Sequence, residues 1–65
     1  MVNYLFEITY HKYKKHDKIL YRPNFGQGLL TEVIILDATD YKNDKPVYDL
    51  DNGHWCYESS IKGRA

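Results

Sequence analysis

The chain of 65 residues is one domain at most, and its nine basic and nine acidic side chains give a net charge of zero. A chain this short buries only about 60% of its unfolded surface, and a single cysteine excludes an intrachain disulfide that would supplement the core. The sequence has no signal-peptide pattern and no apolar run long enough to cross a bilayer. These features predict a soluble, cytoplasmic (intracellular) protein without membrane contact.

The charges are unevenly distributed along the chain. Residues 11–22 hold five basic side chains and one acidic, a local net charge of +4. Residues 32–51 hold six acidic side chains and two basic, a local net charge of −4. The folded molecule is therefore expected to be dipolar, with ends that favour partners of opposite charge.

The first half of the chain predicts two strands. Apolar and aromatic residues alternate with other residues over positions 1–10, which is typical of a half-buried strand. Residues 11–17 are polar and charged, which predicts a connection. We therefore treat residues 1–16 as an N-terminal strand with a basic connection, which precedes the barrel core. Residues 18–22 (KILYR) predict a second strand ended by Pro23, which cannot donate to a sheet ladder. Residues 23–28 (PNFGQG) predict a glycine-containing loop.

The second half predicts the remaining strands. The apolar run at 29–36 favours a central strand covered on both faces, and residues 37–45 predict an acidic loop. Residues 47–50 and 54–57 flank Asn52-Gly53, the strongest short hairpin signal. The ending ESSIKGRA predicts one helical turn that carries Ile61 inward, followed by a frayed tail at 62–65.

Five short strands without a long helix predict an all-β fold, a small five-stranded barrel with its core at residues 17–61. Closure of the sheet would remove the unpaired edges that a flat sheet of this size exposes. The additional strand at the N-terminus predicts self-association, and hence a homo-oligomer, because it supplements a marginal core.

The segments DKILYRP, NFGQG, TEVIIL, VYDLDNGHW and YESSI together resemble the SH3-like barrels, in particular Tudor-like and related small bacterial or viral domains. The resemblance covers about three quarters of the chain and implies a fold rather than a function. Domains of this kind bind peptides, modified lysines or nucleic acids. The resemblance places an aromatic cage for a methylated cation at Tyr21, Phe25, Tyr48 and Trp55.

The hairpin register decides which aromatic residues share a face. A two-residue type I′ turn at Asn52-Gly53 would set Tyr48 opposite Tyr57 and Leu50 opposite Trp55, all on one face. A three-residue turn at 51–53 with a bulge would shift the register by one and split this cluster. We favour the first register because it gives an unbroken apolar face.

These observations predict a non-enzymatic protein-binding module, a small regulator or inhibitor of a larger complex. A chain with seven tyrosines and one tryptophan is expected to leave some of these rings at the surface. The predicted partner-binding residues are Tyr21, Phe25, Tyr48, Trp55 and Tyr57.

Two other functions remain open from the sequence. The first is nucleic-acid binding, in which basic side chains contact phosphates and Tyr10, Tyr13 and Tyr21 stack on bases. The basic residues of that site are Lys12, Lys14, Lys15, Lys18 and Arg22. The second is sequestration of a nucleotide or another small ligand between subunits. No catalytic residue, metal site or cofactor is predicted, since the spacing of His54 and Cys56 matches no metal signature.

Overall fold

A computed structural model describes residues 10–65, and these residues form an antiparallel β fold. The strands are β1 (Lys18–Tyr21), β2 (Thr31–Asp37), β3 (Tyr41–Lys42), β4 (Lys45–Leu50), β5 (Trp55–Tyr57) and β6 (Ile61–Arg64). A tight turn at Pro23–Gly26 follows β1, and a 3-10 turn at Glu58–Ser60 joins β5 to β6. The predicted all-β class is confirmed. The predicted strand at 1–10, with the self-association assigned to it, lies outside the described residues except for Tyr10, which is not part of a strand.

The six strands form one sheet that is not closed. Hydrogen bonds connect them in the order β3-β4-β2-β1-β6, and β5 pairs with β4 outside this path. The register shifts between Leu20 and Tyr21 and again between Ile35 and Asp37. Irregularities of this kind bend a strand and increase its twist, so the sheet curls around one core. Within residues 10–65, no helix has the length and apolar content needed to cross a bilayer.

Strand β2 is central in the sheet but is covered on one face only. Val33 and Ile35 are buried, whereas Ile34 is half-buried and Leu36 is exposed. The prediction of a strand covered on both faces was therefore wrong. The continuous apolar run suggested a sandwiched strand, but an antiparallel sheet needs a packed layer on one side only.

The core combines residues from all parts of the described chain. Its buried members are Tyr13, Ile19, Tyr21, Val33, Ile35, Tyr48, Leu50, Cys56 and Ile61. Every strand except the two-residue β3 contributes to this set. The side chain that sequence reasoning missed is Tyr13, because it lies in a segment that reads as a charged connection.

Residues 11–17 form a segment that we call the N-terminal strap, and backbone hydrogen bonds tie it to the sheet. The Tyr13 N–H donates to the Tyr48 hydroxyl oxygen (3.1 Å), and the Lys12 N–H donates to Glu58 Oε1 (2.8 Å). At its other end, the His16 N–H donates to the Ile35 carbonyl (2.8 Å). Because the sheet is open, the strap supplies a ring and polar partners where a closed barrel would supply another strand.

The β4–β5 hairpin has the three-residue turn, and the favoured register was wrong. Tyr48 pairs with Cys56 and Asp49 pairs with Trp55, one residue away from the predicted alignment. A type I′ turn needs positive φ at both central residues, but in this turn only Gly53 has it (φ 87°). The Leu50 N–H donates to the His54 carbonyl, which closes a loop of residues 51–53. The aromatic residues of the hairpin are consequently split between its two faces.

The C-terminal residues are paired rather than frayed. The predicted turn is present, and Ile61 is buried immediately after it. Residues 62–64 then continue as β6, with Leu20 opposite Gly63 and Ile19 opposite Arg64. The polar composition that suggested a frayed tail is compatible with an edge strand, which has one edge in solvent.

Candidate partner-binding site

Three aromatic side chains form a continuous row on the surface, which we call the aromatic row: Phe25, Trp55 and Tyr57. The Phe25 and Trp55 ring centroids are 6.1 Å apart, and those of Trp55 and Tyr57 are 5.3 Å apart, both with edge-to-face geometry. Phe25 is 77% exposed and Trp55 38% exposed, while Tyr57 is half-buried. Edge-to-face rings at these separations hold each other in place, so the row is an ordered apolar surface.

The hairpin register places this row outside the core. Side chains alternate along a strand, and in β5 Cys56 faces the core opposite Tyr48. Trp55 and Tyr57 therefore point to the other face, where Trp55 lies opposite Asp49. The shift that split the predicted cluster is thus what brings two of its rings to the surface.

The loop after β1 presents Phe25 in an unusual backbone conformation. Asn24 and Phe25 have φ of 55° and 55°, in the left-handed region that bulky residues rarely adopt. The Gly28 N–H donates to the Pro23 carbonyl (2.8 Å), and Arg22 Nη1–H donates to the Gly28 carbonyl (3.3 Å). Backbone strain of this kind persists only where surrounding contacts enforce it, and it concentrates at functional sites.

The loop also depends on the absence of a side chain at Gly28. A Cβ atom there would lie 2.6 Å from Pro23 Cγ, closer than real carbon atoms approach. We expect Gly28→Ala to open the loop and lower the free energy of unfolding by about 1–3 kcal/mol, as overpacking does elsewhere. Urea unfolding followed by Trp55 fluorescence measures the loss, and nuclear Overhauser effects between Phe25 and Trp55 report the displaced ring.

Gln27→Ala, at an exposed neighbouring position, is the control and should change stability by less than about 0.5 kcal/mol. Equal stability of the two variants would contradict the assigned role of Gly28.

A cavity of about 190 Å³ opens between this loop and β5. Its lining combines the aromatic row with buried residues, among them Tyr21 and Cys56 of the core and the polar residue Ser60. Among the described residues that line it there is no lysine, aspartate or glutamate, and Arg22 is the one arginine. The cavity is therefore an apolar pocket with one cation at its edge.

The β3–β4 turn forms the far side of the site. Lys42 Nζ lies 5.0 Å from the centroid of the Trp55 ring, within the range of a cation–π contact. Asn43 Nδ2–H donates to the Tyr57 hydroxyl oxygen (2.9 Å). Sequence reasoning missed both residues because residues 37–45 read as an acidic loop. The signal that was present is Asn43-Asp44, a pair suited to the two positive φ values (52° and 62°) of a two-residue hairpin turn.

Two of the five predicted partner-binding residues lie in the core instead of at the surface. Tyr21 is 1% exposed and Tyr48 0% exposed. Both hydroxyls have partners, since Asn52 Nδ2–H donates to Tyr21 and Tyr48 donates to Glu58. The structure brings together Phe25, Trp55 and Tyr57, but it does not assemble the four-ring cage that the resemblance implied.

The basic residues of the nucleic-acid alternative are spread over two regions. Lys12, Lys14 and Lys15 are exposed on the N-terminal strap, and Lys18 pairs with Glu32 (3.4 Å) at the start of β1. Arg22 follows the other end of that strand. Of the three tyrosines expected to stack on bases, Tyr13 and Tyr21 are buried and Tyr10 is 74% exposed. A continuous basic surface with stacking rings is therefore not formed by this set.

Three carboxylates come close together next to the aromatic row. Oxygen atoms of Asp37, Asp40 and Asp49 lie within 4.8 Å of one another, and we call this set the acidic trio. Asp37 Oδ2 accepts hydrogen bonds from the backbone and hydroxyl of Thr39. Because Asp49 is opposite Trp55, the trio places negative charge on the same face as the row.

The thiol at the edge of the cavity is not suited to nucleophilic chemistry. Burial raises the pKa of Cys56 from 9.0 to about 12. A thiol with so high a pKa stays protonated at neutral pH, and the thiolate is the form that attacks an electrophile or binds a metal.

Comparison with known proteins gives no assignment for this arrangement. No protein-family model, no curated protein and no solved structure matches the chain.

Proposed function

We propose that the protein is a non-enzymatic protein-binding module that holds a peptide segment of its partner against the aromatic row. The observation that carries this proposal is the placement of Phe25, Trp55 and Tyr57 side by side outside the core, at the mouth of a cavity. Tryptophan and tyrosine are enriched among the residues that contribute most to protein interfaces. A small regulator or inhibitor that occupies a surface of a larger complex is the role that fits such a module.

The contacts around the aromatic row support selective binding of a peptide whose shape matches the row. Phe25 belongs to a hydrogen-bonded loop, the Tyr57 hydroxyl accepts a hydrogen bond from Asn43, and Trp55 contacts a ring on either side and Lys42. Side chains that are already ordered lose less conformational freedom on binding, which leaves more of the contact energy for affinity.

Protein binding is favoured over nucleic-acid binding by the surroundings of the row. The acidic trio lies on the same face, where it would repel an extended polyanion. Of the three tyrosines that this alternative needs for stacking, Tyr13 and Tyr21 are buried, which leaves only Tyr10 of that set exposed.

The finer description of the fold is part of the same proposal. We propose that the curled sheet is an SH3-like domain, in which the loop after β1 and the β4–β5 hairpin form the binding side. The bulges that bend β1 and β2, the Asp51-Asn52-Gly53 hairpin and the buried Ile61 after the 3-10 turn support this description.

Selection from a random peptide library tests the function. We expect wild-type protein to enrich peptides with Kd values of about 1–100 µM, and Trp55→Ala or Phe25→Ala to weaken them at least tenfold, as hot-spot truncations do. Tyr10→Ala is the matched control, because it removes an exposed ring outside the row. Circular dichroism verifies that each variant is folded. Enriched peptides that bind the Trp55→Ala variant as tightly as wild type would refute the proposed site.

A further inference from the structure

Arg22 is a half-buried cation without a carboxylate partner among residues 10–65. Its side chain makes one hydrogen bond, from Nη1 to the Gly28 carbonyl (3.3 Å), and no ion pair to a described residue. A guanidinium has five N–H donors in a planar fork, so most of its donors remain for another acceptor. Such groups are usually paired when they are removed from water.

Arg22 is placed where its remaining N–H donors can bind a ligand in the cavity. Arg22 lines the cavity whose mouth is formed by the aromatic row, together with the polar groups of Asn24, His54 and Ser60. The pocket thus combines an apolar wall, one guanidinium and several other hydrogen-bonding groups. Its charge complement is a single anionic group attached to an apolar body.

We propose that the cavity receives the C-terminal carboxylate of the partner peptide, next to an apolar residue, and that Arg22 binds this carboxylate. The proposal rests on the proposed function, because the peptide also contacts the aromatic row. Arginine and carboxylate form paired, parallel hydrogen bonds that fix orientation as well as affinity. Arg22 is thereby a specificity-determining residue for peptides that end in a free carboxylate beside an apolar residue.

The neighbouring charges favour an isolated carboxylate over a polyphosphate or a nucleic-acid strand. Asp49 lies opposite Trp55 and belongs to the acidic trio, and Glu58 follows Tyr57. Neither Asp49 nor Glu58 lines the cavity, so a single carboxylate bound there lies outside this acidic surface. A longer chain of phosphates would have to extend beyond the cavity.

Small probes test the carboxylate directly. We expect N-acetyl-phenylalanine, which has a free carboxylate, to shift the Trp55 indole and Arg22 side-chain NMR signals saturably, with a Kd of about 1 mM for a ligand of this size. N-acetyl-phenylalanine amide, which differs in charge, should bind at least about tenfold more weakly, since it forfeits a charge-assisted hydrogen bond. Trp55 is the single tryptophan of the chain and therefore reports on this site alone.

Variants assign the effect to Arg22. In Arg22→Gln the preference for the acid over the amide should disappear, whereas Lys62→Gln, at an exposed position on β6, should retain it. If Arg22→Gln does not fold, the comparison of the acid with the amide on wild-type protein still tests whether the cavity prefers a carboxylate. Equal binding of acid and amide, or no binding of either, overturns the proposal. Tighter, Arg22-dependent binding of adenosine monophosphate than of the acid also overturns it, in favour of nucleotide sequestration.

The failures of the two proposals are distinguishable. Selected peptides that need Trp55 but bind Arg22→Gln as well as wild type leave the proposed function intact and remove the carboxylate assignment. Conversely, wild-type protein could bind N-acetyl-phenylalanine more tightly than its amide while no selected peptide depends on Trp55. That result would keep the carboxylate site and remove the proposed peptide-binding function. Light scattering of the free protein measures its oligomeric state. An oligomer that dissociates in the Arg22→Gln variant would show that a second copy supplies the carboxylate, and this result would overturn the assignment to a partner of another kind.

Discussion

Tyr48→Ala is expected to unfold most of the protein at 25 °C. Tyr48 is completely buried, and replacing a large buried ring with alanine costs about 3–5 kcal/mol. A core of this size rarely supplies more than about 3–5 kcal/mol in total. Circular dichroism and the dispersion of the amide NMR spectrum measure the folded fraction. A Tyr48→Ala protein with native dispersion would show that the ring is not central to the core.

Tyr48→Phe separates the ring from the hydroxyl. The phenylalanine keeps the apolar contacts but leaves the Tyr13 N–H and a Glu58 oxygen without this partner. Loss of one partner of a buried hydrogen bond costs about 1–3 kcal/mol. We expect a lower urea midpoint and faster hydrogen exchange at the strap amides, with Tyr10→Phe, at an exposed position, as the control. Unchanged exchange at Tyr13 would show that the strap is held by other contacts.

Stability is expected to fall steeply in mild alkali because two buried groups must keep their protons. Burial raises the pKa of Cys56 from 9.0 to about 12. The pKa of Tyr48 is also raised, mainly by burial and in second place by the hydrogen bond to Glu58. A raised pKa in the folded state means that the unfolded chain loses its proton first. The stabilisation is therefore complete below about pH 9 and declines as pH rises toward 12. Cys56 alone accounts for a loss of about 2 kcal/mol near pH 10.5.

Urea midpoints measured under reducing conditions at about pH 7.5, 9 and 10.5 follow this loss through the linkage of protonation to unfolding. Cys56→Ala should start from a lower stability, because it removes a buried side chain, but should lose less between pH 9 and 10.5. Tyr48→Phe should flatten the remaining decline at higher pH. Parallel curves for wild type and Cys56→Ala would mean that the thiol ionises as easily in the folded protein as in the unfolded chain.

Local sequence signals located most of the strands. The strand ended by Pro23, the strand over TEVIIL, the two arms of the hairpin and the turn before Ile61 all occur near their predicted positions. Each of these signals acts over a few residues: proline ends a strand, alternation marks a pleat, and glycine permits a turn. The strand at 41–42 was hidden because its hairpin is too short to show an alternating pattern.

The candidate site was predicted less well than the strands. Phe25, Trp55 and Tyr57 were among the predicted residues and lie together, but Tyr21 and Tyr48 are buried. Asn52-Gly53 is compatible with two turn types, and the choice between them reverses the face of every residue in one arm relative to the other. We favoured the two-residue turn because it puts all the rings of the hairpin on one apolar face. That choice assumed that all these rings are buried together.

Strand pattern and turn chemistry are local properties, and from them the sequence predicted a small β domain with aromatic residues around a tight hairpin. The folded chain was needed to show which rings are core and which are surface, that the N-terminal strap supplies Tyr13 to an open sheet, and that Arg22 borders an aromatic cavity. Those facts depend on register and on contacts between residues far apart in the chain. A shift of one residue at Gly53 costs little locally, and its outcome is set by the packing of Tyr48, Cys56 and the strap on the remaining strands.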